Sequence, residues 1–235
     1  MRNRLALLVF IAGLWPLAGC ADQPGVIKDI KGVIQREGIY LRVRELPHAD
    51  TMTEAADSKW RVAAEPFKDM RIDRDRLGSH TSFWGTKTSL YVLGMDVGQM
   101  ATLLVIDALK HQKGWDVWLD RPAVAAPEGG PDVTLSAEVL ECEVSAKSLL
   151  VSTKIRTSIV IVVHARNAAD GSTAVVVIRQ VGEDWQLWFD PEDAEAQLNK
   201  VLHDSLAQLL SRTVVEKRQL RFTPDHRPAQ GTGGS

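Results

Sequence analysis

The alternation of apolar and polar residues between positions 132 and 181 constrains the fold of this chain more than any other feature. Apolar side chains first occupy every second position and then shift by one residue; they are Val133, Leu135, Ala137 and Val139, followed by Leu140, Cys142 and Val144. A period of two is typical of a β-strand with one buried face, and a one-residue shift is what a β-bulge produces. The pattern predicts a long, bulged strand that turns Cys142 inward.

A long β-hairpin is predicted directly after this strand. Its two strands cover 151–166 and 173–181, and the sequence NAADG between them supplies the Asp-Gly pair that favours a tight turn. One face of the first strand is largely apolar, whereas the other changes from polar and charged residues to Val160 and Val162. One end of the hairpin is thus apolar on both sides, and either a second layer or another chain must cover it. We therefore regard Val160 and Val162 as a candidate binding surface.

Two helices are predicted from their end signals. Asp96 is placed to cap the first helix and Gly114 to end it, while Asp190 and Pro191 begin the second. Alternating segments before and after the first helix indicate strands, which gives a strand–helix–strand order. The sequence therefore predicts an α+β fold: a mainly antiparallel β-sheet with two principal helices packed on it, a strand–helix–strand core and the long hairpin.

The amino terminus has the pattern of a lipoprotein leader. Arg2 and Arg4 precede a short apolar run, which is typical of a secretory signal peptide and too short for a membrane-spanning helix. Residues 17–20, Leu-Ala-Gly-Cys, resemble the lipobox of bacterial lipoproteins. That resemblance implies that the Cys20 thiol receives a diacylglyceryl group, that the chain is cleaved before Cys20, and that the new amino terminus is acylated, for example with palmitate. Several acyl chains together anchor a protein stably.

The residue after the cysteine bears on localisation. Asp at this position retains enterobacterial lipoproteins in the inner membrane, whereas here the position holds Ala21 and Asp22 comes one place later. The resemblance therefore implies a protein anchored in the outer membrane and facing the periplasm. We predict a signal peptide at 1–19, a lipidated N-terminus and tether at 20–38, a single α+β domain at 39–222 and a disordered tail at 223–235. A tether of this length, fully extended, reaches about 60 Å.

Composition excludes several classes of function. The formal net charge of −2 and the lack of a basic cluster argue against nucleic-acid binding, which depends on phosphate neutralisation. With Cys20 consumed by lipid, Cys142 is the remaining cysteine, so no intrachain disulfide is expected. A lone cysteine in an oxidising compartment is typically buried as a small apolar residue.

No motif for catalysis, a metal or a cofactor is present in the sequence. The six histidines are too far apart to form a paired metal motif on one element, and no nucleophile elbow, P-loop or dinucleotide fingerprint occurs. Residues 68–76 alternate aspartates with lysine and arginines, which would keep the aspartates ionised and unsuited to general acid catalysis. We expect this segment to be a solvated, structured loop or a protein-binding surface.

Six tryptophans lie outside the leader. The pairs Trp115/Trp118 and Trp185/Trp188 stand where strands meet helices, so we expect them to pack in the core or at its margin. Trp84 lies in the loop sequence SFWGT and is harder to place in a core. An exposed tryptophan there would suit a binding hot spot or a ligand groove, and Trp84 is therefore a candidate binding residue.

A family resemblance rests on three stretches: EPFKDMRIDRDRLG, the helix VGQMATLLVIDALKHQKGWDV and the strand PDVTLSAEVLECEV. Together they are similar to the YajG-like lipoproteins of the outer membrane of Gram-negative bacteria. More distantly, the plan is similar to lipoprotein activators of penicillin-binding proteins and to the curli-secretion lipoprotein. The resemblance implies action through protein contacts and transfers no catalytic residue; the lipobox cysteine, Cys20, is the one functional position carried over.

Three hypotheses of function follow. The first is a non-enzymatic, lipid-anchored adaptor or accessory binding subunit of an envelope assembly, which contacts the membrane through acylated Cys20 and binds an envelope protein or itself. The second is an auxiliary lipoprotein of a transport system that binds a lipid or small molecule in an apolar groove near the tryptophans. The third, a cell-wall hydrolase, has the least support because it needs clustered polar side chains that the sequence does not display.

Overall fold

The computed structural model describes residues 38–43, 60–120 and 129–224. The predicted signal peptide, Cys20 and nearly all of the predicted tether and tail lie outside the described residues. The division of the chain into a leader, a tether, a domain and a tail therefore stays a prediction. All described residues belong to one compact unit.

The described residues form eleven strands and two helices. In chain order they are β1 (Ile39–Leu41), β2 (Arg61–Ala64), β3 (Lys68–Asp69), β4 (Gly78–Thr81), β5 (Lys87–Val92), α1 (Val97–Lys113), β6 (Asp116–Leu119), β7 (Val133–Ser148), β8 (Thr153–Asn167), β9 (Thr173–Gln186), α2 (Pro191–Arg212), β10 (Thr213–Glu216) and β11 (Gln219–Phe222). The two longest ladders, β7 with β8 and β8 with β9, are antiparallel. The predicted α+β fold is confirmed.

Strand β7 organises the main sheet. One of its edges pairs with β8 along nearly its whole length, and its other edge pairs in turn with the short parallel strands β2, β3 and β4. The sheet continues from β2 to β6 and from β4 through β5 to β1. At the opposite side, β9 pairs only with β8 and is an edge strand within the described part of the chain.

The predicted bulge is present in β7. The register with β8 shifts between Val139 and Glu141, which leaves Leu140 exposed and turns Cys142 into the core. The alternating apolar residues before the bulge and those after it, from Cys142 onward, therefore both point into the core. This confirms the interpretation of the one-residue shift and the expected burial of Cys142.

The two helices contact each other and β7. Asp96 accepts a hydrogen bond from Gln99 N (2.7 Å), and Gly114 ends α1 in the left-handed region at φ 65°. Asp190 accepts from Glu192 N (2.9 Å) at the start of α2. The predicted helix ends are confirmed. The apolar faces of both helices join the inward side chains of the sheet in one core; we call the sheet face that points away from α2 the outer face. No helix in the described ranges is long and apolar enough to cross a membrane.

Two parts of the fold differ from the sequence analysis. The charged segment at 68–76, expected to be a loop, begins with β3, and β4 follows the segment; both pair with β7 and gain a ladder that their composition does not predict. The residues after α2 form the β10–β11 hairpin, whose Leu220 is buried in the core. Asn167 holds this hairpin by donating to Leu220 O (3.2 Å) and accepting from Leu220 N (2.8 Å).

Candidate interaction surfaces

Three chain connections meet at one end of the sheet. Thr81, at the end of β4, pairs with Lys147 of β7; Thr153, at the start of β8, pairs with both Ser148 and Gln186. The β4–β5, β7–β8 and β9–α2 connections therefore leave the sheet side by side. This end of the sheet is the first candidate surface.

Large apolar side chains are concentrated and exposed at this end. We call the set the apolar tip: Phe83, Trp84, Leu149, Leu150, Val151, Trp185, Leu187 and Trp188. Trp84 is 86% exposed and Leu150 is 78% exposed. Scattered exposed apolar residues are normal, but a concentration of this kind marks an interaction site.

The β4–β5 turn holds its aromatic residues outward. Three hydrogen bonds of Ser82 close the turn. Its backbone N–H donates to Thr86 O (2.9 Å), its carbonyl oxygen accepts from Gly85 N (2.9 Å), and its side-chain hydroxyl accepts from Thr86 N (3.1 Å). Gly85 adopts φ 84°, which other residues rarely tolerate. Phe83 and Trp84 sit edge to face on this turn, with ring centroids 5.0 Å apart. The predicted exposure of Trp84 agrees with this geometry, and its role in binding stays a prediction.

His80 links the three connections beneath the tip. Its ring stacks on Phe189 of the β9–α2 connection, and its Nε2 lies 3.0 Å from Ser148 Oγ, which is 2.9 Å from Thr153 Oγ1. Partial burial lowers the pKa of His80. A histidine beside a serine can activate a nucleophile, but no carboxylate among the described residues forms an ion pair with His80 to orient it. The arrangement is suited to holding the loops together.

Basic side chains border the apolar tip. Lys87 and Lys147 are exposed at the ends of β5 and β7 next to it. The ammonium group of Lys154 lies 5.5 Å from the ring centroid of Trp185, within reach of a cation–π contact. The tip is therefore apolar at its summit. Lys87 and Lys147 lie on the margin formed by β5 and β7, Lys154 is paired with Glu183, and the acidic residues Asp184 and Asp190 lie on the margin at the β9–α2 connection.

The outer face of the hairpin is the second candidate surface. Val160 is 8% exposed and lies between its cross-strand neighbours Glu141 and Arg179, so no second layer or other chain is needed to cover it. Val162 is half-buried. The accessible valines are on β9 instead: Val175, Val177 and Val181. Val160 is therefore shielded within this chain, and the role of Val160 and Val162 in binding stays a prediction.

The free edge of β9 borders these valines. The backbone N–H of Asn167 donates to Ser172 O (2.8 Å) where the β8–β9 ladder begins. The backbone N–H and C=O groups of the even-numbered residues of β9 therefore point toward β8, and those of the odd-numbered residues point toward the free edge. Val177 O accordingly accepts from Arg212 (3.2 Å), and Trp185 N donates to Asp184 (2.9 Å). Between these two points, the outward backbone groups of residues 179, 181 and 183 have no hydrogen-bond partner among the described residues.

The charged side chains on this edge differ in whether they form ion pairs. Glu183 lies 2.8 Å from Lys154 and 3.7 Å from Arg156. The hydrogen bond from Lys154 holds the pKa of Glu183 below its ordinary value. Arg179 forms no ion pair within the described ranges. The edge therefore offers one uncommitted positive charge among apolar side chains.

The charged segment at 68–76 has a buried centre. Arg71 is 6% exposed, forms an ion pair with Asp69 (2.9 Å) and donates to the carbonyl oxygens of Arg76 (2.9 Å) and Cys142 (3.1 Å). A cleft of about 370 Å³ lies beside it, and no tryptophan lines this cleft. Because the guanidinium group is fully engaged in holding the segment on β7, we assign Arg71 a structural role.

The tryptophans divide into buried and exposed members. Trp60 and Trp115 pack together in the core with ring centroids 6.1 Å apart, and Trp118 is half-buried. Trp185 and Trp188 are exposed at the tip, so of the two expected positions, the core or its margin, the core is excluded. No group of three potential metal ligands occurs in the part of the chain that the structure describes.

This chain is similar to known proteins in its fold and not in its sequence. No family model matches this sequence, and no curated protein matches it significantly. A similar solved structure is protein XCC0632 from Xanthomonas campestris, of family DUF330, with a TM-score of 0.50 and 13% identity over 74% of this chain and 93% of that one. At this identity the likeness shows a shared fold, and the resemblance to YajG-like lipoproteins stays a prediction.

Two further solved structures match with lower scores. PelC from Paraburkholderia phytofirmans, solved as a dodecamer, has a TM-score of 0.37 and 14% identity, over 63% of this chain and 89% of that chain. Lipoprotein GNA1162 from Neisseria meningitidis has a TM-score of 0.29 and 13% identity, over 65% of this chain and 99% of that chain.

Proposed function

We propose that this protein is a lipid-anchored, non-enzymatic adaptor of the bacterial envelope. Acylated Cys20 holds it in the outer membrane with the folded domain in the periplasm, and the free edge of β9 pairs with an extended strand of another envelope protein. The observation that carries this proposal is the unpaired run of backbone groups at residues 179–183.

Free edge strands are uncommon because they invite unwanted pairing. Natural proteins usually shorten them, kink them or protect them with charged residues and proline. Strand β9 has 14 residues and contains no proline; its charged residues Arg179, Glu183 and Asp184 lie in its second half, and it carries accessible valines on its outer face. A long edge kept in this state is suited to accepting a strand, and main-chain hydrogen bonds then supply affinity while side chains supply specificity.

The side chains on the edge define the chemistry of the partner strand. Val177 and Val181 would contact apolar residues at alternating positions of that strand. Arg179 lies between them without an ion pair among the described residues, whereas Glu183 already has Lys154 and Arg156. We therefore expect the partner strand to carry an acidic residue opposite Arg179.

In-cell photo-crosslinking of the intact lipoprotein tests the proposal. A photoreactive amino acid at Val181 is expected to capture a defined envelope protein, identified by mass spectrometry, while the same group at Arg166 captures none. Arg166 is a matched control because it is exposed on the outer face of β8, away from the free edge. Arg179→Glu is expected to abolish the crosslink. Capture of a second copy alone, or equal capture at both positions, would overturn the adaptor proposal.

A further inference from the structure

We propose that the apolar tip docks into the interfacial region of the lipid bilayer, next to the anchor of the same molecule. This inference rests on the proposed lipid anchor, and it assigns a ligand, the membrane surface, to the tip. It follows from the composition of the tip and from where the chain enters the domain.

The composition of the apolar tip matches a membrane interface. Trp84, Trp185 and Trp188 have amphipathic rings of the kind that concentrate at the level of lipid headgroups, and Leu150 and Leu187 can insert below them. Lys87 and Lys147 can extend their ammonium groups to headgroup phosphates while their alkyl chains stay on apolar surface, whereas Lys154 is already paired with Glu183. The tip is formed by three connections, so it presents a broad end rather than one loop.

The position at which the chain enters the domain favours the membrane as the binding partner of the apolar tip. Strand β1 is parallel to β5, and β5 is antiparallel to β4, which ends at the tip. Strand β1 therefore runs away from the tip, and Ile39 is its tip-facing end. Ile39 pairs with Leu90, which pairs with Gly78, only three residues from the end of β4 at Thr81. That separation is about 10 Å along the strand.

The length of chain before Ile39 then permits docking. The segment that starts at Cys20 spans about 60 Å when extended, which exceeds the distance from Ile39 to the tip several-fold. An anchored domain meets its own bilayer at a high effective concentration, so even weak insertion of the tip is populated. A free protein partner would have no such advantage at this surface.

Docking also agrees with the proposed use of β9. Strand β9 ends at the tip, so two copies paired antiparallel through their β9 edges would point their tips in opposite directions. Both tips could then not meet one membrane. The docked orientation therefore favours a strand from a different protein at the β9 edge over a second copy of this chain.

The test uses the lipidated protein in vesicles of phosphatidylethanolamine and phosphatidylglycerol. A polarity-sensitive nitrobenzoxadiazole group is attached at Leu150→Cys, or at Ala168→Cys as the matched control. Ala168 is exposed in the β8–β9 turn at the opposite end of the sheet. Labelling is selective because Cys20 is acylated and Cys142 is buried. Flotation of the vesicles reports the anchor separately from docking.

We expect the label at 150 to be blue-shifted and quenched by doxyl lipids at least about threefold more strongly than the label at 168. Combining Trp84→Glu with Trp188→Glu is expected to abolish this difference while flotation persists. Flotation with an aqueous environment at both labels would overturn docking and leave the anchor standing. Loss of flotation would overturn both. Shielding of residue 150 in cells but not in these vesicles would assign the tip to a protein instead.

Discussion

The imidazole ring of His80 lies flat on the phenyl ring of Phe189, with centroids 3.8 Å apart and planes 10° from parallel. This contact joins the end of β4 to the connection between β9 and α2, which are far apart in sequence. Because the loops of the apolar tip emerge directly beyond it, we expect the protonation of His80 to affect how firmly these loops are held.

Acidification should destabilise the protein through His80. Burial lowers its pKa, so the folded state disfavours the protonated form. Its contribution to stability is complete above the unfolded-state pKa of about 6.5 and is lost as the pH falls below that value. We expect His80→Phe, which keeps a ring against Phe189, to show a smaller drop in melting temperature than the wild type between about pH 7.5 and pH 5. Equal drops would contradict this.

Two strand glycines should respond differently to substitution by alanine. A Cβ at Gly78 would collide with the backbone carbonyl oxygen of Val144, whereas a Cβ at Gly182 would meet the side chains of Gln197 and Val201. Backbone in a ladder cannot move aside, but side chains can. We expect Gly78→Ala to lower the free energy of unfolding by about 3 kcal/mol or more and Gly182→Ala by about 1–2 kcal/mol. Urea denaturation measures both, and the reverse order would refute the assignment.

Proline should distinguish the two sides of β9. The N–H of Val181 points to the free edge, so Val181→Pro should fold and lose less than about 1.5 kcal/mol of stability. The N–H of Gln180 points to Ile159 of β8, so Gln180→Pro should cost about 3 kcal/mol or more. Circular dichroism with thermal melting compares the two. Equal losses would show that the assigned direction of the edge is wrong.

The thiol of Cys142 should be inert in the folded protein. Burial raises its pKa to about 12, so almost no thiolate, the reactive form, exists at neutral pH. We expect no reaction with Ellman's reagent until denaturant unfolds the protein, and one equivalent of thiol in urea when Cys20 is lipidated. Fast reaction without denaturant would mean that β7 opens near its bulge.

Removal of the lipidation site should release the protein from the membrane. Cys20→Ser eliminates the thiol on which acylation and the predicted cleavage depend, and the tip alone binds only weakly and reversibly. We expect the variant to leave the outer-membrane fraction and to lose its acyl mass, as judged by fractionation and mass spectrometry. A variant that stays membrane-bound at its mature size would refute the lipoprotein interpretation.

Local signals in the sequence predicted the elements well. The caps Asp96 and Asp190, the end at Gly114 and the bulge near Leu140 are each determined by a few neighbouring residues, and all are confirmed. Strand β4 was missed because its sequence, GSHT, is not apolar. It becomes a strand through pairing with its neighbour β5 and with a segment of β7 more than sixty residues away, and no local pattern records the distant pairing.

The candidate surfaces were only partly predictable. Trp84 could be recognised because a tryptophan between turn residues is unusual. The tip as a whole depends on strand order, which brings Leu150 and Trp188 beside Trp84 from distant parts of the chain. The open edge of β9 depends on the same order. Periodicity identifies a strand but does not show whether a neighbour lies on each side of it.

The three short strands along β7 have a consequence for export and folding. Among the described residues, β3 pairs only with β7, and β2 pairs only with β6 and β7, so both strands wait for partners that lie much later in the chain. Parallel pairings between distant segments form slowly and leave strands exposed to aggregation meanwhile. In the exported protein that we propose, β2 and β3 complete their pairing only when β7 has emerged, and we expect the chain to depend on chaperones until then.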